Sequence, residues 1–177
     1  MLLDGIRIVR PQALVAEKIT LQGCKLKNFY RIGDGVFRSD QPSATCFKAL
    51  EQYGIKEILN LRNRHNDNDA ARGTNLKLHR LRTRASKIRL TGLIEALRII
   101  RDRKGPILIH CWHGSDRTGA ICALYRIVFQ GIDKEQAIHE MVEGDFGFHM
   151  IFDDIIDVIH HANIPKIRKE LRISNRS

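Results

Sequence analysis

The chain contains no apolar run long enough to cross a membrane. Met1-Leu2-Leu3-Asp4 begins no apolar stretch of signal-peptide length either, so a cytoplasmic protein is predicted, with export to another cell left open. Aromatic residues are scarce, 6% of 177, and nowhere alternate with basic residues as a base-stacking platform requires. No nucleic-acid partner is therefore expected. Four cysteines, Cys24, Cys46, Cys111 and Cys122, show neither metal-ligand spacing nor the pattern of a small disulfide scaffold. A reducing compartment is the default for such a chain. There is no internal repeat, and 177 residues fit one domain.

Positive charge is what the chain has in excess. Thirty Lys and Arg against twenty Asp and Glu leave a formal charge of +10 and a pI of about 9.8. That balance suits an acidic partner: a polyphosphorylated small molecule, a lipid headgroup, or the surface of an anionic membrane touched peripherally. It also serves solubility alone. The apolar share, 43%, is enough for a core.

Along the chain, residues 1–27 read as an N-terminal arm or an added edge strand, with Ile6, Ile8 and Val9 alternating with basic residues. Asn28–Ile32 and Gly35–Ser39 read as short strands around a Gly33-Asp34-Gly35 turn. A helix capped by Ser43 and ended by Gly54 follows, then a strand over Ile55–Leu61. Arg62–Thr74 is polar and reads as a surface loop, with Leu76–His79 the next strand. Arg80–Arg89 reads as a basic loop, and Leu90–Arg103 as an amphipathic helix. Helices are predicted over Arg117–Gln130, Lys134–Val142 and Ile151–His161, the last ended by Pro165, with a basic tail over 163–177 that frays from Lys166. Strands alternating with helices predict an α/β fold, a central, mostly parallel sheet of four or five strands flanked by helices. The domain itself is placed at 28–162.

The stretch most specific in chemistry is Ile107-Leu108-Ile109-His110-Cys111-Trp112-His113-Gly114-Ser115-Asp116-Arg117-Thr118-Gly119. An apolar, β-branched run reads as a buried strand that delivers Cys111 to a sheet edge. The residues after it can curl their N–H groups into a nest, and the N-terminus of the next helix adds positive potential. A thiol placed there ionises more readily and becomes a nucleophile. The same nest and the Arg117 fork suit a tetrahedral oxyanion, above all phosphate. Gly114 fits where backbone must approach a ligand closely. The alternative is a core cysteine beside a helix cap.

His110-Cys111, five residues, then Arg117-Thr118-Gly119 resembles the signature of the cysteine-dependent phosphatases, the protein tyrosine and dual-specificity superfamily. The run from Val36 to Arg62, with its Arg38-Ser39-x-Gln-Pro start, Gly-Ile-Lys and Asn-Leu-Arg, is similar to the atypical dual-specificity phosphatases of bacteria and to fungal and plant relatives that act on inositol pyrophosphates. The resemblance implies a dual-specificity-phosphatase-like fold and a two-step reaction: attack of Cys111 on phosphorus, then hydrolysis of the phosphocysteine. It implies Arg117 as the clamp on the equatorial oxygens, and N–H groups of Trp112, His113, Gly114 and Ser115 as the cradle. Thr118 would donate to the thiolate, and His110, with Arg38 and Ser39, would support the loop. No metal or other cofactor is needed.

One departure from the family matters. A general acid must protonate the leaving oxygen, and most relatives supply an aspartate from the loop that here reads Leu81-Arg82-Thr83-Arg84-Ala85-Ser86-Lys87-Ile88, which has no carboxylate. Cys111-x-x-Gly114-x-Asp116-Arg117-Thr118 is similar to the loop of the myotubularin and Sac phosphoinositide phosphatases, which makes Asp116 the replacement candidate. A carboxyl forced near phosphate favours the protonated form an acid requires. Alternatively Asp116 only pins the loop. Asp40, Asp67, Asp69 and Asp145 are weaker candidates. Arg82, Arg84 and Lys87 read either as a wall for a substrate with several phosphates or as a solvated loop. The expected function is a cysteine phosphatase on phosphoinositides or inositol phosphates. The alternatives are a protein tyrosine or dual-specificity phosphatase, and a phosphatase fold that binds phosphate without turnover.

Overall fold

Three apolar strands lie side by side and parallel, and their C-terminal ends meet at one edge. They are β3 (Val36–Ser39), β4 (Glu57–Arg62) and β6 (Ile107–His110), with β6 in the middle. The computed structural model describes residues 15–173. Its sheet has six strands in the order β1-β2-β3-β6-β4-β5, where β1 is Glu17–Lys18, β2 is Tyr30–Gly33 and β5 is Lys77–Thr83. β1, β2 and β3 pair antiparallel, and β5 adds to β4 in parallel. The sequence anticipates the mostly parallel centre and undercounts the edges. β1 has only two residues, too few for a period-2 pattern to register.

β6 shows why the sheet is covered on both faces. All four of its residues are buried, and they alternate between two cores. Ile107 and Ile109 join a large cluster with α2 (Leu90–Asp102) and α3 (Asp116–Gln130). Leu108 points the other way, into a smaller cluster with Phe47 and Leu50 of α1 (Ala44–Tyr53). Because α1 follows β3 onto one face and α3 follows β6 onto the other, the chain leaves neighbouring strands in opposite directions. A crevice at the strand ends is the consequence.

The helix punctuation behaves as read. Ser43 accepts from the Cys46 N–H, and Gly54 closes α1 in the left-handed region at φ 111°. Asp133 caps α4 (Lys134–Glu143), accepting from Glu135 and Gln136.

Three expectations are corrected. Arg80–Thr83 is not loop but the second half of β5, with a 3₁₀ turn over Ala85–Lys87 beyond it. Charged side chains are what an edge strand carries to stay soluble, so a basic stretch there mimics a loop. Pro165 does not end a helix. α5 (Asp154–His160) is already over, and Pro165 sits in the first turn of α6 (Ile164–Glu170), where its missing N–H costs nothing. The tail is not frayed from Lys166 through Leu171, because Ile167 and Leu171 are buried in the large core.

The cysteines supply a further correction. Cys24 and Cys46 form a disulfide. Twenty-two residues separate them in sequence, and they meet because the segment before β2 runs along α1. Such bonds are favoured in oxidising surroundings, and the spacing of the four cysteines does not signal this pair. No helix among the described residues is long and apolar enough to cross a membrane. Of the N-terminal arm, residues 15–27 join the domain through β1, the disulfide and the packing of Ile19, Leu21 and Leu26. Residues 1–14, and with them Ile6, Ile8 and Val9, lie outside the described residues, as do 174–177.

Candidate active site

β6 ends at His110, and Cys111 leaves the strand as the first residue of a tight loop that runs to Asp116 at the start of α3. Cys111 is a free thiol, 2% exposed. The loop turns at Gly114, which stands at φ +70°. A Cβ there would lie 2.5 Å from the Ser39 carbonyl carbon and oxygen and 2.7 Å from the Asp40 nitrogen. Glycine is thus required twice, by conformation and by contact with the backbone after β3.

Buried polar groups hold this loop from beneath. Arg38 of β3, 2% exposed, donates from Nη2 to the Gly114 carbonyl at 2.6 Å, and its guanidinium lies 3.7 Å above the Phe146 ring. Ser39 is fully buried and donates to the Asp40 carbonyl. His110 donates from Nε2 to Asp67 Oδ2 at 2.8 Å, while its Nδ1 lies 3.2 Å from the Cys111 carbonyl. Gln41 donates to the other Asp67 oxygen at 2.9 Å, and its backbone N–H donates to the Trp112 carbonyl. Burial pushes the Asp67 carboxyl up, but the bond and charge of His110 and the amides of Gln41 and Asn60 outweigh it and leave it below the usual aspartate value. Asp67, in the stretch read as surface loop, is therefore a buried member of the loop's support.

A second flank comes from the segment after α4. Ser115 donates its hydroxyl to the Phe146 carbonyl at 2.6 Å, so that side chain is turned away from a ligand. The Asp116 carboxylate accepts from the His149 backbone N–H at 2.8 Å and from its ring Nδ1 at 3.0 Å. Asn28 donates to the His113 and Phe146 carbonyls. The sequence signalled none of Asn28, Phe146 and His149 as site residues. The aromatic turn at 146–149 was visible, but only tertiary structure brings it to Cys111.

Arg117, at the start of α3, makes one long bond, from Nη1 to the Thr83 carbonyl at 3.3 Å. The hydroxyl of fully buried Thr118 has no hydrogen-bond partner. Arg62 also reaches the site, unanticipated. Its pairing with β5 shifts register between Asn60 and Arg62, and a bulge of that kind re-aims a side chain. Its guanidinium lies 4.0 Å above the exposed Trp112 ring and donates to Gln41 Oε1 at 3.0 Å. Burial, then the charge of Arg117, holds Arg62 below the usual arginine value, with Asp67 and Cys111 pulling the other way. Trp112 and His113 are both exposed at the loop's crest.

Arg82, Arg84, Lys87 and Arg89 line a cleft of about 380 Å³ together with Asn63 and Thr83. No carboxylate lines it, and Thr83 joins it to Arg117. Asp40, beside Gly114, is half-buried, and burial raises its pKa to about 6 against the Lys27 N–H bond that lowers it. Cys122, in α3, is inert by contrast, its thiol pushed up to about 11 by burial. No cluster among the described residues could hold a metal ion.

A buried thiol at the end of a parallel strand, a glycine turn, and an arginine opening the next helix define the class: this is the architecture of the cysteine-dependent phosphatases. Residues 32–131 match the family model described as "Polymorphic toxin system, DSP-PTPase phosphatase", and the chain belongs to that family. It is 32% identical to the dual specificity protein phosphatase TpbA of Pseudomonas aeruginosa over 145 residues, 80% of this chain and 65% of TpbA. It thus spans just under two thirds of that relative. The inositol diphosphatase DSP2 of Oryza sativa subsp. japonica is 33% identical over 108 residues, 56% of this chain and 53% of DSP2. Among solved structures, P. aeruginosa TpbA in complex with pTyr superposes with a TM-score of 0.78 at 28% identity, covering 93% of this chain and 99% of the other. The core catalytic domain of the S. cerevisiae PP-IP phosphatase SIW14 shares the fold, with a TM-score of 0.68 at 23% identity, covering 83% and 94%.

Proposed function

We propose that this protein is a phosphomonoester hydrolase that works through a phosphocysteine on Cys111, with phosphoinositides or inositol phosphates as its substrates. The observation that carries the reading is the meeting of Cys111, Arg117 and Arg62 at one sheet edge, beside a cleft lined by Arg82, Arg84, Lys87 and Arg89 and free of carboxylates.

The Cys111 thiolate attacks phosphorus as the P–O bond to the leaving group breaks. Trp112, His113, Gly114 and Ser115 act through backbone N–H groups, since the Ser115 hydroxyl is committed to Phe146. Arg117, almost unpartnered in the free protein, grips two equatorial oxygens with its fork. The unpartnered Thr118 hydroxyl turns to the thiolate that leaves in the second step. Asp116 gives its proton to the departing oxygen and takes one from the water that cleaves the phosphocysteine. His149, bonded to both Asp116 oxygens, sets its orientation. His110, Arg38 and Ser39 keep the loop in shape from below. Trp112, Met150 and Ile151 expose apolar surface on the segments around the site, which suits a headgroup presented by an anionic bilayer.

Tyrosine phosphate is the second reading, supported by the likeness to a TpbA structure that contains pTyr. Capture without turnover is the third, supported by the missing carboxylate over 81–88.

Phosphate release from phosphoinositides, inositol phosphates, a phosphotyrosine peptide and an aryl phosphate separates them. Wild type should turn over the first two best, and Cys111→Ser none. Asp116→Asn should lose substrates with poor leaving groups by about 10²–10⁴-fold and spare the aryl phosphate. Equal loss on all would give Asp116 a structural role. No turnover by wild type would reject the enzyme. Arg84→Ala and Lys87→Ala should weaken polyphosphates more than the aryl phosphate.

A further inference from the structure

Asn28 belongs to none of the elements that carry reactive groups, yet its side chain joins two of them. Its Nδ2 donates to the His113 carbonyl at 2.8 Å and to the Phe146 carbonyl at 3.0 Å. His113 lies within the loop from Cys111 to Arg117, next to Gly114. Phe146 belongs to the segment that receives the Ser115 hydroxyl and sends His149 to Asp116. One amide thus spends both its hydrogens fastening the phosphate loop to its flank. The backbone at Asn28 is left-handed, φ 53°, a conformation asparagine tolerates better than most residues.

The segment leading to Asn28 is itself tied down. Lys27 donates its N–H to the Asp40 carboxylate at 2.9 Å, and Asp40 returns a backbone bond to the Lys27 carbonyl at 2.9 Å. Four residues before Asn28, Cys24 is bonded covalently to Cys46 in the first turn of α1. The strap over 24–28 therefore runs from a disulfide on one face of the sheet to the crest of the loop.

We propose that Asn28 is a positioning residue for the phosphate loop, and that the Cys24–Cys46 disulfide governs how firmly it holds, so that the thiol–disulfide state of the strap tunes the anion site. A dithiol reductant attacks one sulfur of the bond and forms a mixed disulfide. Its second thiol displaces the protein sulfur, so that Cys24 and Cys46 gain two electrons and two protons and the reductant leaves as a disulfide. The strap then keeps only its non-covalent ties, and the His113 and Phe146 carbonyls lose their common donor for part of the time. Cys122 is a free, buried thiol and takes no part in the exchange. The proposal rests on the loop being the anion cradle proposed above, and it does not require turnover.

The test uses the full chain with free thiols counted, and measures tungstate binding by calorimetry beside aryl phosphate hydrolysis, with and without dithiothreitol. Asn28→Gly keeps the left-handed backbone and removes the amide. Its affinity for tungstate and its kcat/KM should fall about tenfold, the equivalent of one good hydrogen bond. Reduced wild type and the Cys24→Ser/Cys46→Ser protein should fall in the same direction, and Asn28→Gly should no longer respond to dithiothreitol. A lower thermal midpoint on reduction with unchanged tungstate affinity would overturn the proposal. So would an Asn28→Gly protein that binds tungstate like wild type, or one that keeps the full response to reductant. Should the double serine protein not fold, reduced wild type with native circular dichroism and Asn28→Gly still decide. If no ester is hydrolysed but tungstate affinity follows the strap, the phosphatase reading falls and this one stands.

Discussion

Two carboxylates flank the loop that carries Cys111, and they respond to pH in opposite directions. Asp67 is held below its ordinary value, because His110, Gln41 and Asn60 together outweigh its burial. Its contribution to stability is present above about pH 4 and is lost as pH falls through its lowered value. Asp67→Asn should therefore cost roughly 1–3 kcal/mol at pH 7, with the gap to wild type closing in acid. Asp40 is raised to about 6 by burial. Its contribution is full below about pH 4 and is lost as pH climbs through about 6. Asp40→Asn keeps an acceptor for the Lys27 N–H and removes the charge, so it should match wild type at pH 4 and melt higher at pH 8. Thermal midpoints at the two pH values check both. A parallel shift of the two variants would contradict the assignment. The two residues also mark how much of the site can be read from sequence. Cys111, Gly114 and Arg117 are legible because strand, turn and helix signals surround them within thirteen residues. Asp67 sits among Asn66, Asn68 and Asp69, a run that says surface, and only the fold selects the one carboxylate of that run that meets His110.

At the scale of elements, helices were easier to read than sheet edges because their ends carry side-chain signals. Ser43, Gly54, Gly131 and Asp133 each mark a boundary that stands where the caps place it. β5 gives no such signal. Half of it is basic, and its strand character comes from pairing with β4 rather than from its own period. α6 was hidden for another reason. Lys166, Arg168, Lys169 and Glu170 dominate its composition, while Ile167, with Leu171 at the C-cap, supplies its buried face. With Ile164 they make one stripe at i, i+3 and i+7 over barely two turns, and Pro165 inside that stripe reads as a helix stop. The consequence is measurable. Leu171 is fully buried, so Leu171→Ala should cost about 2–5 kcal/mol in denaturant unfolding. A loosely attached tail would give nearly zero. Arg101 donates to the Leu171 carbonyl from α2, so truncation before 171 should also loosen the helix that carries Leu93 and Leu97.

For the whole molecule, the question is whether a net charge of +10 is general or directed. Charge spread evenly over a surface raises solubility and attracts every anion alike. Here the cleft beside the loop gathers Arg82, Arg84, Lys87 and Arg89 without a carboxylate among its lining residues, and Thr83 links it to Arg117. Elsewhere several basic side chains are paired with carboxylates: Arg31 with Glu17, Arg72 with Asp69, Arg98 with Glu95 and Glu170, Arg126 with Glu140. A directed field makes association with a polyanion depend on ionic strength far more than association with a small monoester. Exposed charges are felt over about 10 Å at 0.1 M salt and only about 3 Å at 1 M, and are screened beyond that. Raising salt from 0.05 to 0.5 M should therefore lower kcat/KM for an inositol polyphosphate by about tenfold or more, and for an aryl phosphate by no more than about threefold. The drop should fall mainly on KM. The Arg84→Ala/Lys87→Ala protein should show a shallower slope with the polyphosphate and the wild-type slope with the aryl phosphate. Steady-state kinetics across that salt range, on both substrates and both proteins, decide the matter. Equal slopes for the two substrates in wild type would make the charge a property of the surface and leave the cleft without a role in choosing what Cys111 attacks.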